Sequence, residues 1–275
     1  MYKIPNSMAG IDSKQPWFIL NAASQFSMLI SEDSLISHFY HFETDQSNKM
    51  TLAIPDGCVD IVFDCDLTNP SAKVCGTTLR PCNANLTHNH RYFGIRFALG
   101  VKPHFLNISA DELVGQEINL LELAPDALNV FEQVVTQPLY SKQATLFSEY
   151  FRTKPTQQTS ALITGAMKLI CESHGNVRGS ELERRTGYTR RTLLRKFVDE
   201  IGISPKVISR IVRCQRAIHQ INYQEDLIFS NLAYDLGFTD QSHFQREFKK
   251  LVSTTPLEFQ SLVNRGSYKN RIQDF

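Results

Sequence analysis

The chain has 275 residues, 42% of them hydrophobic and 21% charged, a length that suggests about two domains and a balance that excludes disordered, collagen-like and disulfide-scaffold classes. No apolar run reaches the ~18 residues of a membrane-spanning helix. The net charge of +1 hides an asymmetry: residues 1–159 hold 11 basic and 16 acidic side chains, or −5, while residues 160–275 hold 18 and 12, or +6. The stretch 178–216 alone holds 11 basic and 4 acidic residues, or +7, which points to a nucleic-acid or anionic-surface partner for that half.

The N-terminal stretch from Trp17 to Ile30 is interrupted by Asn21, Ser24, Gln25 and Ser27 and has no basic flank. No cleaved signal peptide is therefore expected. With six cysteines and no signal peptide, the thiols are expected to be reduced, in a cytoplasmic protein.

The next hundred residues read as strands. Met50–Ile54 and Val59–Phe63 flank Pro55-Asp56-Gly57, a turn signal in which glycine supplies a positive φ. Tyr92–Phe97 alternates, with Phe93, Ile95 and Phe97 on one face and Tyr92, Gly94 and Arg96 on the other. That period of two predicts a half-buried strand. Together these elements predict an antiparallel sheet or barrel.

The period then changes. Ser109-Ala110-Asp111-Glu112 fits a capping box. Leu128–Phe151 carries apolar residues at helical spacing and predicts two helices interrupted at Pro138. Arg152–Ser160 is polar, contains Pro155 and reads as a linker. Beyond it the spacing predicts seven helices, near 160–173, 179–186, 190–200, 205–221, 229–236, 240–251 and 256–263.

This basic half contains a repeat at an offset of 51. Leu193-x-x-x-Phe197 matches Phe244-x-x-x-Phe248, Arg195 matches Arg246, and Ser204-Pro205 matches Thr255-Pro256. Gly187 and Gly237 each close a short leucine-bearing helix. Each unit is thus a short helix, a glycine turn and a longer helix, the order of a helix-turn-helix. At 100° per residue, Leu193, Phe197 and Ile201 share one side of the first long helix, with Arg191, Thr192 and Arg195 opposite. In the second unit Phe244, Phe248 and Leu251 face inward, while Ser242, His243, Arg246, Lys249 and Lys250 face away. Arginine can take guanine bidentately or hold a phosphate. Gln241 and Gln245 carry the amide group that suits adenine edges. The bland reading is a helical bundle with a solvated charged face. Two units in one frame, each with an outward arginine, argue against it.

On these residues, residues 160–265 resemble the DNA-binding domain of AraC/XylS-type transcription regulators. The carrying motif is Leu232-Ala233-x-x-x-Gly237-Phe238-x-Asp240-x-Ser242-x-Phe244-x-Arg246-x-Phe248-Lys249-Lys250, followed by Thr255-Pro256. The resemblance implies two recognition helices joined by a long helix, here Pro205–Gln220, with Arg210, Arg213 and Arg216 available for phosphates. It places base contacts at Arg190, Arg191, Leu194 and Arg195 on the first recognition helix, and at Gln241, Ser242, His243 and Arg246 on the second. Gln245, Lys249 and Lys250 complete the expected DNA-binding set. Two positions depart from the family pattern. Ser253 stands where glycine is usual, so that helix is expected to end differently. Glu183 stands where alanine is usual, and a buried charge there would be costly.

The first half resembles the N-terminal domain of a subset of the same regulators, through Ile54-Pro55-Asp56-Gly57-x-x-Asp60-Ile61-Val62-Phe63, Gly76 and Phe93-Gly94-Ile95-Arg96-Phe97. That resemblance implies a cupin-like barrel for an effector, with the helices at 128–151 for dimerisation. The expected class is therefore α+β: an N-terminal antiparallel β-barrel with helices, and a C-terminal all-α domain with two helix-turn-helix units. The expected domains are 1–152 and 161–265, with a linker at 153–160 and a polar tail at 266–275. The expected partners are double-stranded DNA, a small-molecule effector, RNA polymerase and a second copy of the chain, with no membrane.

The alternative is a cupin-like metal-binding protein or enzyme with a helical accessory domain. His88-Asn89-His90 on a strand would put two imidazoles on one face. Residues 91–100 contain no carboxylate to complete three ligands, so no metal or cofactor is expected. Cys58, Cys65, Cys75 and Cys82 lack Cys-x-x-Cys spacing and read as packing thiols rather than a zinc or redox site. No nucleophile, base and orienting group can be assembled, so no catalytic residue is assigned. Trp17, Phe18, Phe39, Tyr40 and Phe42 read as core in preference to a ligand pocket.

Overall fold

The computed structural model describes residues 23–46, 51–155, 159–224, 227–265 and 272–274; Trp17 and Phe18 lie outside them. The first half builds strands β1 (Ala23–Ile30), β2 (Ile36–Thr44), β3 (Leu52–Ala53), β4 (Asp60–Asp64), β5 (Ser71–Cys75), β6 (Cys82–Asn83), β7 (Arg91–Phe97) and β8 (Glu117–Asn119). A ninth strand, β9 (Ile272–Asp274), comes from the far end of the chain. Seven strands form one sheet in the order β8-β5-β4-β7-β2-β1-β9, and β3 with β6 forms a two-stranded ribbon.

This sheet is not the closed barrel expected from the sequence. A barrel needs its first and last strands to pair, and here β8 and β9 end the sheet at opposite edges. Alternation along each strand specifies faces, but it carries no information about closure. β9 lies parallel to β1, in the segment expected to be a polar tail.

The helices in chain order are α1 (Ala110–Leu113), α2 (Leu120–Leu123), α3 (Leu128–Thr136) and α4 (Tyr140–Arg152), then α5 (Ala161–Glu172), α6 (Gly179–Thr186), α7 (Arg190–Ile201), α8 (Pro205–Tyr223), α9 (Phe229–Asp235), α10 (Gln241–Val252) and α11 (Pro256–Arg265). The Ser109 capping box opens α1 as expected. α3 and α4 break at Pro138, and all seven helices predicted after the linker are present within two residues of their expected ends.

Three apolar clusters hold the fold. One face of the sheet, with Ile61, Phe63, Phe93, Ile95 and Phe97, packs on Val134, Ala144 and Phe147 of α3 and α4. The other face, with Phe26, Met28, Tyr40, Phe42 and Tyr92, shares a cluster with Cys214, Ala217, Ile218 and Ile221 of α8 and with Phe244 and Phe248 of α10. α5, α6 and α7 form the third, around Ile163, Ile170, Leu193 and Phe197. Each fully buried phenylalanine contributes roughly 1.5–3 kcal/mol.

This arrangement corrects the reading of β7. Phe93, Ile95 and Phe97 are buried, but so are Tyr92, Gly94 and Arg96. The strand is buried on both sides because helices from the second half cover the face expected to be wet. The halves also meet at Gly202, which ends α7 in the left-handed region (φ +86°); a Cβ there would sit 2.3 Å from the Ala110 carbonyl oxygen. Phe39 belongs to the first cluster and Tyr40 and Phe42 to the second, all as core.

The repeat at offset 51 is visible in the backbone. α7 and α10 both have 12 residues. Thr189 and Asp240 cap them, accepting hydrogen bonds from the Thr192 and His243 amides. Gly202 and Ser253 end them in the left-handed region, and Ser204 or Thr255 with a following proline starts the next helix. Ser253, expected to close its helix differently, takes the same conformation (φ +69°) and bonds back to the Lys249 carbonyl. A side chain in that region is strained, so Ser253→Gly is expected to add about 1 kcal/mol of stability, read as a higher urea midpoint at unchanged slope.

Candidate nucleic-acid interface

Each long helix of the repeat is fastened by its inner stripe and leaves its outer stripe in water. On α7, Leu193 and Phe197 are buried, whereas Arg190, Arg191, Leu194 and Arg195 are exposed. On α10, Phe244, Phe248 and Leu251 are buried, whereas Gln241, Ser242, Arg246, Lys249 and Lys250 are exposed. His243 and Gln245 are half-buried. Period 3.6 places these residue types on opposite sides, and burial of the aromatic side orients the other.

The N-terminal ends of both helices are held in place. Asp240 accepts from the His243 amide at 2.7 Å, and that bond holds its carboxyl below the usual range. The His243 ring pairs with the Thr239 hydroxyl at 3.0 Å and stands edge-on to Phe238. At Glu183, where the cost of burying a charge implied a looser turn or escape to solvent, the side chain is half-buried and accepts from the Arg190 amide. The substitution places a carboxylate at the start of α7, where unpaired amides and the helix dipole favour it.

Among the described residues, Arg190, Arg191, Arg195 and Arg246 take part in no ion pair, whereas Arg210 and Arg213 are engaged internally. Arg210 donates to Glu247 at 2.8 Å. Arg213 donates to the Gly175 carbonyl at 2.9 Å. Between α7 and α10 runs a cleft of about 1050 Å³, bordered by Arg190, Leu194, Lys206, Arg213, His243 and Lys250. A shallower depression of about 270 Å³ on the outer side of α10 gathers Ser242, Gln245, Arg246, Lys249 and Thr255. Lys206, exposed at the start of α8, was not among the residues expected at the site. Its place two residues after Ser204, where the repeat starts a helix, was the available signal.

The competing sites fare differently. His88 and Asn89 lie in a turn before β7, not on a strand, and Asn89 is left-handed (φ +58°). His88 is exposed, while His90 pairs with Asp64 at 2.8 Å. Among the described residues no three His, Cys, Asp or Glu side chains cluster as a metal site. Cys58 and Cys65 are buried, Cys75 is half-buried and Cys82 is exposed. Burial pushes the Cys65 and Cys75 thiols up, which disfavours the thiolate that a metal or nucleophile would need. Among the described residues no helix is long and apolar enough to cross a membrane.

Residues 182–261 match a family described as Helix-turn-helix domain. Residues 33–119 match Domain of unknown function (DUF6597). The HTH-type transcriptional activator RhaS of Yersinia pestis (strain Pestoides F) is 32% identical over 81 residues, covering 30% of this chain and 29% of that protein. RhaS of Mannheimia succiniciproducens is 36% identical over 78 residues, covering 28% and 29%. The matched stretch thus spans under a third of these relatives. The solved structure of ToxT from Vibrio cholerae aligns with 86% of this chain and 97% of its own, at 14% identity and a TM-score of 0.42. The matched helices are α6 to α11, the part of the chain that presents the outward arginines. Residues 182–261 of this chain are thus similar to a helix-turn-helix domain, and a stretch of similar length is similar to part of the RhaS activators.

Proposed function

We propose that the chain is a sequence-specific, double-stranded-DNA-binding transcription regulator of the AraC/XylS type. The observation that carries this reading is the pair of twelve-residue helices at an offset of 51, each anchored by an aromatic side and offering arginine outward. In this reading α6–α7 and α9–α10 are two helix-turn-helix units, and α7 and α10 enter successive major-groove segments. Arg190, Arg191, Leu194 and Arg195 read one segment. Gln241, Ser242, His243 and Arg246 read the other, with Gln245, Lys249 and Lys250 beside them on base edges and phosphates. Residues 161–265 form the DNA-binding domain. Residues 1–152 sense an effector, pair with a second copy, or both, and 153–160 link the two. The activator relatives favour a role in recruiting RNA polymerase in the cytoplasm, with no catalysis of its own.

Arg246→Ala is expected to weaken specific binding by about 1–3 kcal/mol and to relax one base position. Lys249→Ala is expected to weaken all sequences similarly and to lower the slope of log affinity against log salt by ~0.9. Gel shifts at several salt concentrations read both effects. Unchanged operator affinity in both variants would contradict the assigned face.

A further inference from the structure

The expectation for Arg210 and Arg213 was phosphate contact, but their surroundings assign a different task. Arg213 projects from the connecting helix α8 towards two turns at once. Its Nη2 donates to the Gly175 carbonyl at 2.9 Å, in the turn that follows α5 and leads into the first unit. Its guanidinium carbon lies 4.9 Å from the ring centre of Phe238, in the turn of the second unit. These two turns also touch directly. A Cβ on Gly237 would sit 2.2 Å from the Asn176 side-chain amide. A Cβ on Gly175 would sit 2.1 Å from the Ser209 carbonyl oxygen of α8, so the Gly175-Asn176 turn is wedged between α8 and the second unit. Both glycines have positive φ, +77° and +70°.

Arg210, one helical turn earlier, reaches the second unit at another point. It donates to Glu247 on α10 at 2.8 Å, and Glu247 also accepts from Lys250 at 3.0 Å. Burial would raise the Glu247 carboxyl, but Lys250 and Arg210 pull it below its usual range, so it is ionised at neutral pH. Burial likewise pulls Arg213 below the usual arginine range, as expected for a group withdrawn from water.

We infer that Arg213, seconded by the Arg210–Glu247 pair, is a positioning residue that fixes the separation of the two reading helices and so sets which spacing of two DNA segments the protein accepts. This rests on the DNA-binding reading above. The physical reason is geometric. Inserting one base pair between two segments turns the second by about 34° around the DNA axis. A rigid pair of helices cannot follow that rotation, whereas a loosened pair can, at the expense of affinity for the matched spacing. A phosphate ligand behaves differently: its loss lowers the salt slope by ~0.9 and leaves the spacing preference alone.

The test uses the full chain and the DNA that it selects from a random pool, together with versions of that DNA lengthened or shortened by one base pair between the segments. Arg213→Met keeps the aliphatic stem and removes the guanidinium. It is expected to lose about tenfold in affinity for the matched spacing. It is also expected to narrow the gap between matched and shifted DNA, with the salt slope unchanged. Should Arg213→Met fail to fold, Glu247→Gln carries the same expectation for spacing, because it releases Arg210 without altering side-chain size. A lower salt slope with the spacing preference intact would overturn the inference in favour of phosphate contact. Variants that match the wild type in both respects would also overturn it. Wild-type protein that selects no DNA sequence would instead defeat the underlying reading, so the two failures are distinguishable.

Discussion

Arg96→Met is expected to cost about 3–5 kcal/mol of folding stability, because it strands two carboxylates around a buried site. Arg96 lies on β7, is 7% exposed, and stands opposite Asp60 of β4 in the sheet register. Its Nε donates to Asp60 at 2.8 Å, and its Nη1 lies 3.1 Å from Asp56. Burial works against the cation, but Asp60 and Asp56 more than offset this and keep it charged. The Tyr40 hydroxyl also donates to Asp60, at 3.4 Å. Methionine would fill much of the volume and satisfy neither carboxylate.

The loss should reach the helical half. Asp56 belongs to the Pro55–Gly57 turn, where it caps the Cys58 amide at 3.0 Å. The Pro55 carbonyl in the same turn accepts from Gln215 of α8 at 2.8 Å, and a Cβ on Gly57 would stand 3.1 Å from Ile208 of that helix. Urea unfolding reads the effect as a lower midpoint. Adding Asp60→Asn to the Arg96→Met background should recover part of the loss, since it removes one of the two stranded charges. A midpoint unchanged by Arg96→Met would show that the triad contributes nothing net to stability.

Phe197→Ala is expected to cost about 3–5 kcal/mol, while Leu194→Ala three residues away should stay within about 0.5 kcal/mol of wild type. Both residues are large, apolar and on α7, so composition does not separate them. Phe197 has no exposed surface and packs with Leu193, Ile163 and Ile170, so truncation leaves a cavity in the third cluster. Leu194 is 47% exposed on the arginine side, where truncation opens no cavity. In the DNA-binding reading the order reverses for affinity: Leu194→Ala weakens binding with the fold intact. Thermal unfolding and gel shift on the same two proteins check both halves of this statement. Equal destabilisation by the two variants would mean that the faces of α7 are misassigned.

The helical half was legible because its signals are local. Apolar residues at a 3.6 period, Thr189 and Asp240 as caps, and proline after Ser204 and Thr255 act within one or two turns, and the predicted limits of α6 to α11 lie close to the observed ones. The sheet was less legible, because its character is decided at a distance. β7 alternates like a half-wet strand, yet the helix that dries its second face begins more than a hundred residues later, at Pro205. Closure into a barrel depends on which strands end up at the edges, and nothing within any one strand specifies that. Within the candidate site, residue type and helical phase placed Arg195 and Arg246 outward, but they could not tell them from Arg210, whose carboxylate partner Glu247 lies 37 residues away. Glu183 was conspicuous as a departure from pattern. Its purpose emerged only with the Arg190 amide beside it.

Selection of bound sequences from a random duplex pool by the 275-residue chain, repeated with Arg195→Ala and with Arg246→Ala, tests the central claim most directly. The account predicts a bipartite wild-type motif with its two parts about one helical turn apart, near 10 base pairs centre to centre. Arg195→Ala should blur a position in one part only, and Arg246→Ala a position in the other. No enriched motif, or a single motif left untouched by both substitutions, would contradict it.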